Sequence, residues 1–153
     1  MKKAESYIPK GYHTVTPYII VDGAAKALEF YKKALGATEV FRMDGPDGKI
    51  MHSEFNVGDS RMMMADEFPD MGMKGPKNGG TSVSFMVYVE DVDFVAKQAI
   101  EAGMTEKRAV KDQFYGDRSG TFQDPFGHVW TIGTHIEELT TEEMNQRAAQ
   151  AKM

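Results

Sequence analysis

The feature that most constrains the fold of this chain is a pattern that occurs twice. In the first half, an apolar run ends at Ile20-Val21-Asp22, a stretch with helical spacing follows, and Leu35-Gly36-Ala37-Thr38 leads into the next strand. The second half repeats this order from Tyr88-Val89-Glu90 to Ala102-Gly103-Met104-Thr105 at nearly constant offset. An internal repeat of one supersecondary unit is a strong organisational signal. We therefore expect an α+β chain made of two β-α-β-β-β units.

Periodicity assigns the elements of each half. Apolar residues recur at helical spacing over 24–35 and 91–102, and Gly36 and Gly103 supply C-terminal stops. Short apolar or alternating runs separated by turn residues predict the strands. They cover about 15–21, 38–43, 50–57 and 61–65 in the first half, and about 83–89, 105–110, 119–123 and 128–134 in the second.

The chain of 153 residues has the size of one domain. Residues 1–13 are polar and predict an N-terminal arm. Residues 14–136 predict a single domain, with module 1 at about 14–66, a connector rich in Gly and Pro at 67–80, and module 2 at about 81–136. Residues 137–153 predict a helical tail, because Thr140 and Glu143 have the spacing of a capping box.

Composition excludes several classes of function. A net charge of -5 without a basic window argues against a nucleic-acid partner. The chain has no cysteine, which excludes disulfides and thiolate chemistry and fits the cytoplasm. No apolar stretch is long enough to span a bilayer, and the start does not resemble a signal peptide. We expect a cytoplasmic protein without membrane contact.

Two segments add a resemblance to a known family. The runs VDGAAKALEFYKKALG (21–36) and DPFGHVWTI (124–132), taken with the two units, resemble the glyoxalase/bleomycin-resistance, or vicinal oxygen chelate, superfamily over about 13–136. Segments 52–54, 115–120 and 134–138 look like its PhnB-like branch. The resemblance implies two modules that form a curved mixed β-sheet cup, and a homodimer. It leaves the activity open, because this scaffold serves isomerases, dioxygenases, thiol transferases and drug-sequestering proteins.

The resemblance also implies where metal-dependent members place their ligands. The corresponding positions here hold Thr16, Met63, Ser84 and Thr131. None is a carboxylate or an imidazole, whereas a divalent ion of this class requires three or four such groups. We expect neither a metal nor another cofactor.

Strand alternation predicts which side chains face the cavity. Val83, Phe85, Val87 and Val89 are uniformly apolar and are expected under the helices, as are Met51, Phe55 and Val57. The opposite face mixes Tyr and Met with a few polar groups, as pockets for small, partly apolar ligands do. The predicted ligand-binding residues are Thr16, Tyr18, His52, Glu54, Arg61, Met63, Ser84, Met86, Tyr88 and Thr131.

His52 and Glu54 are the candidate catalytic residues, because they lie two apart on one strand face and can form a proton-transfer pair. A structural polar contact is the alternative, and metal binding by this pair is a further one. Arg61 is the better candidate for an anion. Asp117-Arg118 is expected in a loop, as a clamp for an anion or as a turn-stabilising pair.

Two further residues, His128 and Trp130, are expected to be structural. Three functions stay open at this point. The first is a metal-free protein that binds a small organic molecule. The second is a metal-dependent enzyme of the lyase, isomerase or dioxygenase type that uses His52 and Glu54. The third is a protein whose cavity is filled by side chains and which acts through its dimer surface or C-terminal helix.

Overall fold

The computed structural model describes residues 1–151, apart from the side chain of Asn78. The chain divides into two compact units, the first ending at Gly79 and the second beginning at Gly80. The first unit contains β1 (Tyr18–Val21), α1 (Ala24–Leu35), β2 (Thr38–Asp44), β3 (Ile50–Val57) and β4 (Ser60–Asp66). The second contains β5 (Ser84–Tyr88), α2 (Val92–Ala102), β6 (Thr105–Asp112), β7 (Asp117–Gln123), β8 (Val129–His135) and α3 (Thr141–Gln150).

Each unit has one four-stranded mixed sheet with the same topology. The strand orders are β1-β4-β3-β2 and β5-β8-β7-β6. In each sheet the first strand pairs in parallel with the last, and the remaining pairs are antiparallel. The predicted α+β class and the repeated β-α-β-β-β unit are confirmed. No helix in the described part of the chain is long and apolar enough to cross a membrane.

Helix α1 covers one face of the first sheet. Its buried side chains recur every three or four residues. The ring of Tyr31 stacks on Phe55 of β3, which places α1 on the face that carries Phe55. The helix ends at Gly36, which adopts a left-handed φ of 67° that costs a glycine little.

A buried carboxylate joins α1 to the sheet. Asp66, at the end of β4, accepts hydrogen bonds from the backbone amides of Gly23 (2.8 Å), Ala24 (2.9 Å) and Ile50 (2.7 Å). Gly23 precedes α1 and has no side chain for a cap, so Asp66 satisfies the first amides of the helix. In the second unit a hydroxyl occupies the related position. Thr134 accepts from the amide of Val92 (3.0 Å) and donates to the carbonyl of Val89 (2.8 Å).

Trp130 lies in the core of the second unit. Its indole nitrogen donates to Asp124 (2.9 Å), which also accepts from the amides of Phe126 and His128. Trp130 and His128 are both buried. The predicted packing of Trp130 in the core is therefore confirmed.

Three sequence predictions about strands are wrong in detail. Met51 is 49% exposed rather than packed under the helix. Its neighbours His52 and Ile50 pair with Met43 and Asp44 of β2, so Met51 is the extra residue of a bulge in the β2–β3 pairing. Val83 is exposed because β5 begins one residue later. The first strand was expected from about residue 15, but β1 begins only at Tyr18.

The predicted helix of the tail is present, and Thr140 caps its start. Thr140 accepts from the amide of Glu143 and also contacts its carboxylate. Arg147 of α3 binds both carboxylate oxygens of Glu137 and donates to the carbonyl of Phe114. These contacts attach α3 to the β6–β7 turn and to the segment that follows β8.

Candidate functional site

The face of the first sheet opposite α1, here called the α1-distal face, presents a row of side chains across all four strands. Tyr18 pairs with Met63, Met63 with Glu54, and Glu54 with Phe41. In-register neighbours of adjacent strands point to the same side of a sheet. The strand pairing therefore places a tyrosine, a thioether, a carboxylate and a phenylalanine in one line.

Tyr18, His52 and Glu54 form a continuous hydrogen-bonded chain on this face. The Tyr18 hydroxyl lies 2.9 Å from His52 Nδ1, and His52 Nε2 lies 3.2 Å from Glu54 Oε1. Tyr18 is 44% exposed, whereas the side chain of Glu54 is 19% exposed. The chain thus runs from a solvent-accessible phenol to a largely covered carboxylate.

Arg61 closes the covered end of this network. Its Nε donates to Asn56 Oδ1 (2.7 Å), and its Nη1 lies 3.7 Å from Glu54 Oε2. The guanidinium also lies over the ring of Tyr12, 4.6 Å from the centroid, in cation–π geometry. Arg61 therefore neutralises Glu54 and holds the end of the N-terminal arm against the sheet.

The charges and the burial of this network determine the protonation states of Glu54, Tyr12 and Tyr18. Tyr12, followed by His52 and Arg61, lowers the pKa of Glu54 against the opposing effect of burial. The buried Tyr12 hydroxyl lies beside Glu54 and Arg61, but it has no partner with full hydrogen-bond geometry among the described residues. Burial raises the pKa of Tyr12 and of Tyr18. Glu54 is thus ionised and both phenols are protonated at neutral pH.

The second sheet carries the other predicted ligand-binding residues, on its face opposite α2. Ser84, Met86 and Tyr88 alternate along β5, and Met86 pairs in register with Thr131. Thr131 contacts Thr121 through their hydroxyl oxygens, 3.1 Å apart. Thr134 accepts from the first amide of α2, so its side chain lies on the α2 side of β8. Thr131 lies three residues earlier on the same strand, so its side chain points to the face opposite α2.

A second polar cluster surrounds Asp117. This carboxylate is 5% exposed, accepts from the Tyr88 hydroxyl (2.9 Å) and lies 2.9 Å from His135 Nδ1. His135 Nε2 lies 3.1 Å from Glu138.

The expected loop position of Asp117 and Arg118 is wrong, because both belong to β7. Arg118 forms ion pairs with Asp93 and Asp112.

The sequence matches known proteins over most of its length. The model of the Glyoxalase/Bleomycin resistance protein/Dioxygenase superfamily matches residues 12–132. An uncharacterized protein from Mycobacterium bovis is 39% identical over 134 residues, which cover 85% of this chain and 88% of that protein. The chain belongs to the glyoxalase/bleomycin resistance protein/dioxygenase superfamily.

Solved structures show the same superfamily fold. A gene product from Arabidopsis thaliana superposes with a TM-score of 0.66 at 24% identity, over 79% of this chain and 98% of that one. A fosfomycin resistance protein from Listeria monocytogenes, complexed with Mn(II) and sulfate, superposes with a TM-score of 0.63 at 17% identity, over 89% and 97%. At these identities the likeness concerns the fold alone.

The residues of this superfamily member do not fit a metal centre of the usual kind. Thr16, Met63, Ser84 and Thr131 supply neither carboxylate nor imidazole. Among the described residues, no three His, Cys, Asp or Glu side chains are grouped so that they could hold a metal ion. A neutral imidazole has one nitrogen lone pair, and that of His52 is engaged by Tyr18 when Nε2–H faces Glu54.

Alternation along the strands placed Tyr18, His52, Glu54, Arg61 and Met63 on one face, and the structure brings them together there. Thr16 is half-buried in the segment that leads into β1. Three further participants were not among the predicted site residues: Tyr12, Phe41 and Asn56. The arm also contains Tyr7, so the presence of an aromatic residue did not single out Tyr12, and its contact with Arg61 depends on the path of the arm.

Proposed function

We propose that this protein binds a small, partly apolar organic molecule on the α1-distal face of its first sheet, without a metal ion. The observation that carries the proposal is the Tyr18–His52–Glu54 chain, whose accessible end lies in one row with Met63 and Phe41. Polar groups that fix orientation among apolar neighbours are typical of small-molecule sites. The donor set, which lacks a grouped set of metal ligands among the described residues, supports the metal-free form.

Methionine methyl resonances test this proposal directly. We expect fragments that bind to shift the methyl signal of Met63, assigned through Met63→Leu, in protein labelled with carbon-13 at its methionine methyls. The control signal is that of Met71, which is 74% exposed in the chain segment that connects β4 to β5. A fragment library that leaves the Met63 signal unmoved would contradict the proposal.

The second sheet offers a separate set of predicted binding residues. Ser84, Met86, Tyr88 and Thr131 share the face opposite α2, and Tyr88 and Met86 are exposed. We propose that these residues also contact ligand. Met86 provides the corresponding methyl signal, so the same experiment reports on each face independently.

A second candidate function is proton transfer by a metal-dependent enzyme of the lyase, isomerase or dioxygenase type. The contact between His52 and Glu54 favours it, since an imidazole held by a carboxylate is a common acid–base unit. Metal analysis of protein purified without chelator tests this candidate. Stoichiometric metal that is lost in His52→Ala and Glu54→Ala would replace the metal-free proposal.

We further propose that the protein is a cytoplasmic homodimer of the PhnB-like branch. Exposed apolar side chains along the edge strand β2, among them Val40 and Met43, support an interface between chains. Light scattering after size exclusion tests the assembly, with twice the chain mass of 17.1 kDa expected.

A further inference from the structure

The Tyr18–His52–Glu54 chain has a direction. An ionised carboxylate only accepts hydrogen bonds, so the His52 nitrogen that faces Glu54, Nε2, carries the proton of the neutral imidazole. His52 Nδ1 is then an acceptor, and the Tyr18 hydroxyl must donate to it across 2.9 Å. Each hydrogen bond in the chain therefore points toward Glu54.

This direction leaves the Tyr18 oxygen as an acceptor toward solvent. A phenol has one O–H to donate, and Tyr18 uses it on His52. Burial raises the pKa of Tyr18, which keeps that proton on the phenol. A ligand that meets the exposed side of Tyr18 must supply the hydrogen itself.

We propose that this site selects hydroxylated aromatic compounds, of the phenol class, through an O–H group donated to the Tyr18 oxygen. This inference rests on the proposed function and names its ligand class. An aromatic ring beside that hydroxyl would meet Met63, the cross-strand neighbour of Tyr18, and Phe41, which is 46% exposed in the same row. Thioether and aromatic side chains pack well against planar rings.

A matched pair of probes tests the inference. 2-Naphthol carries the donor, and 2-methoxynaphthalene has the same ring system without it. We expect the wild-type protein to bind the naphthol about tenfold more tightly, the equivalent of one hydrogen bond in a partly covered site. The affinities are measured by titration of the Met63 methyl signal at neutral pH.

Two variants assign this preference to the chain of hydrogen bonds. In Tyr18→Phe the ratio of the two affinities is expected to fall to within about twofold of unity, because the acceptor is gone while the ring stays. Glu54→Gln is expected to reduce the ratio as well, because an amide no longer fixes the proton on Nε2. Tyr7→Phe, at a tyrosine that is 95% exposed in the arm, is the matched control and is expected to keep the wild-type ratio.

The outcomes separate this inference from the proposed function. Equal affinities for both probes in the wild type, or a ratio that survives in Tyr18→Phe, would overturn the phenol preference while small-molecule binding stands. The preference is also overturned if neither naphthalene binds while other fragments shift Met63. If no fragment shifts Met63, both fail. The probe pair on the wild type decides the matter even if a variant does not fold.

Discussion

The ring of Tyr31 in α1 stacks on the ring of Phe55 in β3, with centroids 5.5 Å apart and an angle of 12° between the planes. Both side chains are fully buried. Phe55 lies between Glu54 and Asn56 along β3, so the contact that anchors the helix also fixes which face of β3 carries the polar network.

Removal of this stack is expected to destabilise the protein strongly. Phe55→Ala should lower the free energy of unfolding by about 3–5 kcal/mol, through lost apolar burial and the cavity left against Tyr31. Urea denaturation followed by circular dichroism measures the change. Phe94→Ala is the control, because Phe94 is 65% exposed on α2 and its loss is expected to cost below about 0.5 kcal/mol. Equal losses in the two variants would contradict the proposed role of the stack.

Asp66 gives a second stability prediction. In Asp66→Asn one acceptor oxygen is replaced by an NH₂ group that faces backbone donors, so we expect a loss of about 2–4 kcal/mol in unfolding free energy. Asp59→Asn in the exposed β3–β4 turn is the matched control, with an expected change below about 0.5 kcal/mol. A wild-type urea midpoint for Asp66→Asn would show that the three amide contacts contribute little.

His135 gives a prediction about pH. Its hydrogen bond to Asp117, aided by Glu138, raises its pKa above the ordinary value of 6.5. A raised pKa stabilises the folded state below the unfolded value, and this contribution is lost as pH rises through the folded value. We expect the difference in unfolding free energy between wild type and His135→Gln to be largest near about pH 5 and to shrink toward about pH 9.

The pH series has a matched control and a clear contrary result. His13→Gln removes a histidine from the exposed arm, where no described carboxylate lies within ion-pair distance of the ring. Its difference from wild type is expected to stay small at every pH. If the difference in unfolding free energy between wild type and His135→Gln grew with rising pH, this would contradict a pKa of His135 that Asp117 and Glu138 raise.

Arg61 gives a prediction about the N-terminal arm. The guanidinium lies over Tyr12, and a side chain on the adjacent Gly11 would come within 2.9 Å of Arg61 Nη2. In Arg61→Ala we expect tryptic cleavage after Lys10 to accelerate about fivefold, the equivalent of a cation–π contact of about 1 kcal/mol. Arg118→Ala, which breaks ion pairs in the second unit, should leave this rate unchanged. The same cleavage rate in both variants would argue against the arm contact.

Local pattern predicted much of the fold and part of the site. Alternation was sufficient for His52, Glu54 and Met63 because a regular strand turns successive side chains to opposite faces. It was wrong at Met51, where a bulge interrupts the alternation. Whether a bulge forms depends on the pairing of β2 with β3, which a period of two does not encode.

The hydrogen bond between Tyr18 and His52 could not be predicted from the sequence, for a different reason. Tyr18 and His52 are separated by 34 residues, and their contact depends on the register of β1, β4 and β3 together. Asp117 likewise gave no signal of burial, because a Gly-flanked Asp-Arg pair is typical of turns. Its partners Tyr88 and His135 come from two other strands.

Trp130 is the single tryptophan of the chain, and it lies in β8 with its indole bonded to Asp124. The protein thus carries a built-in fluorescent label on its second half alone, while circular dichroism sums the signal of both halves. If the two optical signals diverge during denaturation, the duplicated halves melt in succession. If they coincide, the two halves unfold in one cooperative transition, and a destabilising substitution in either half would unfold both.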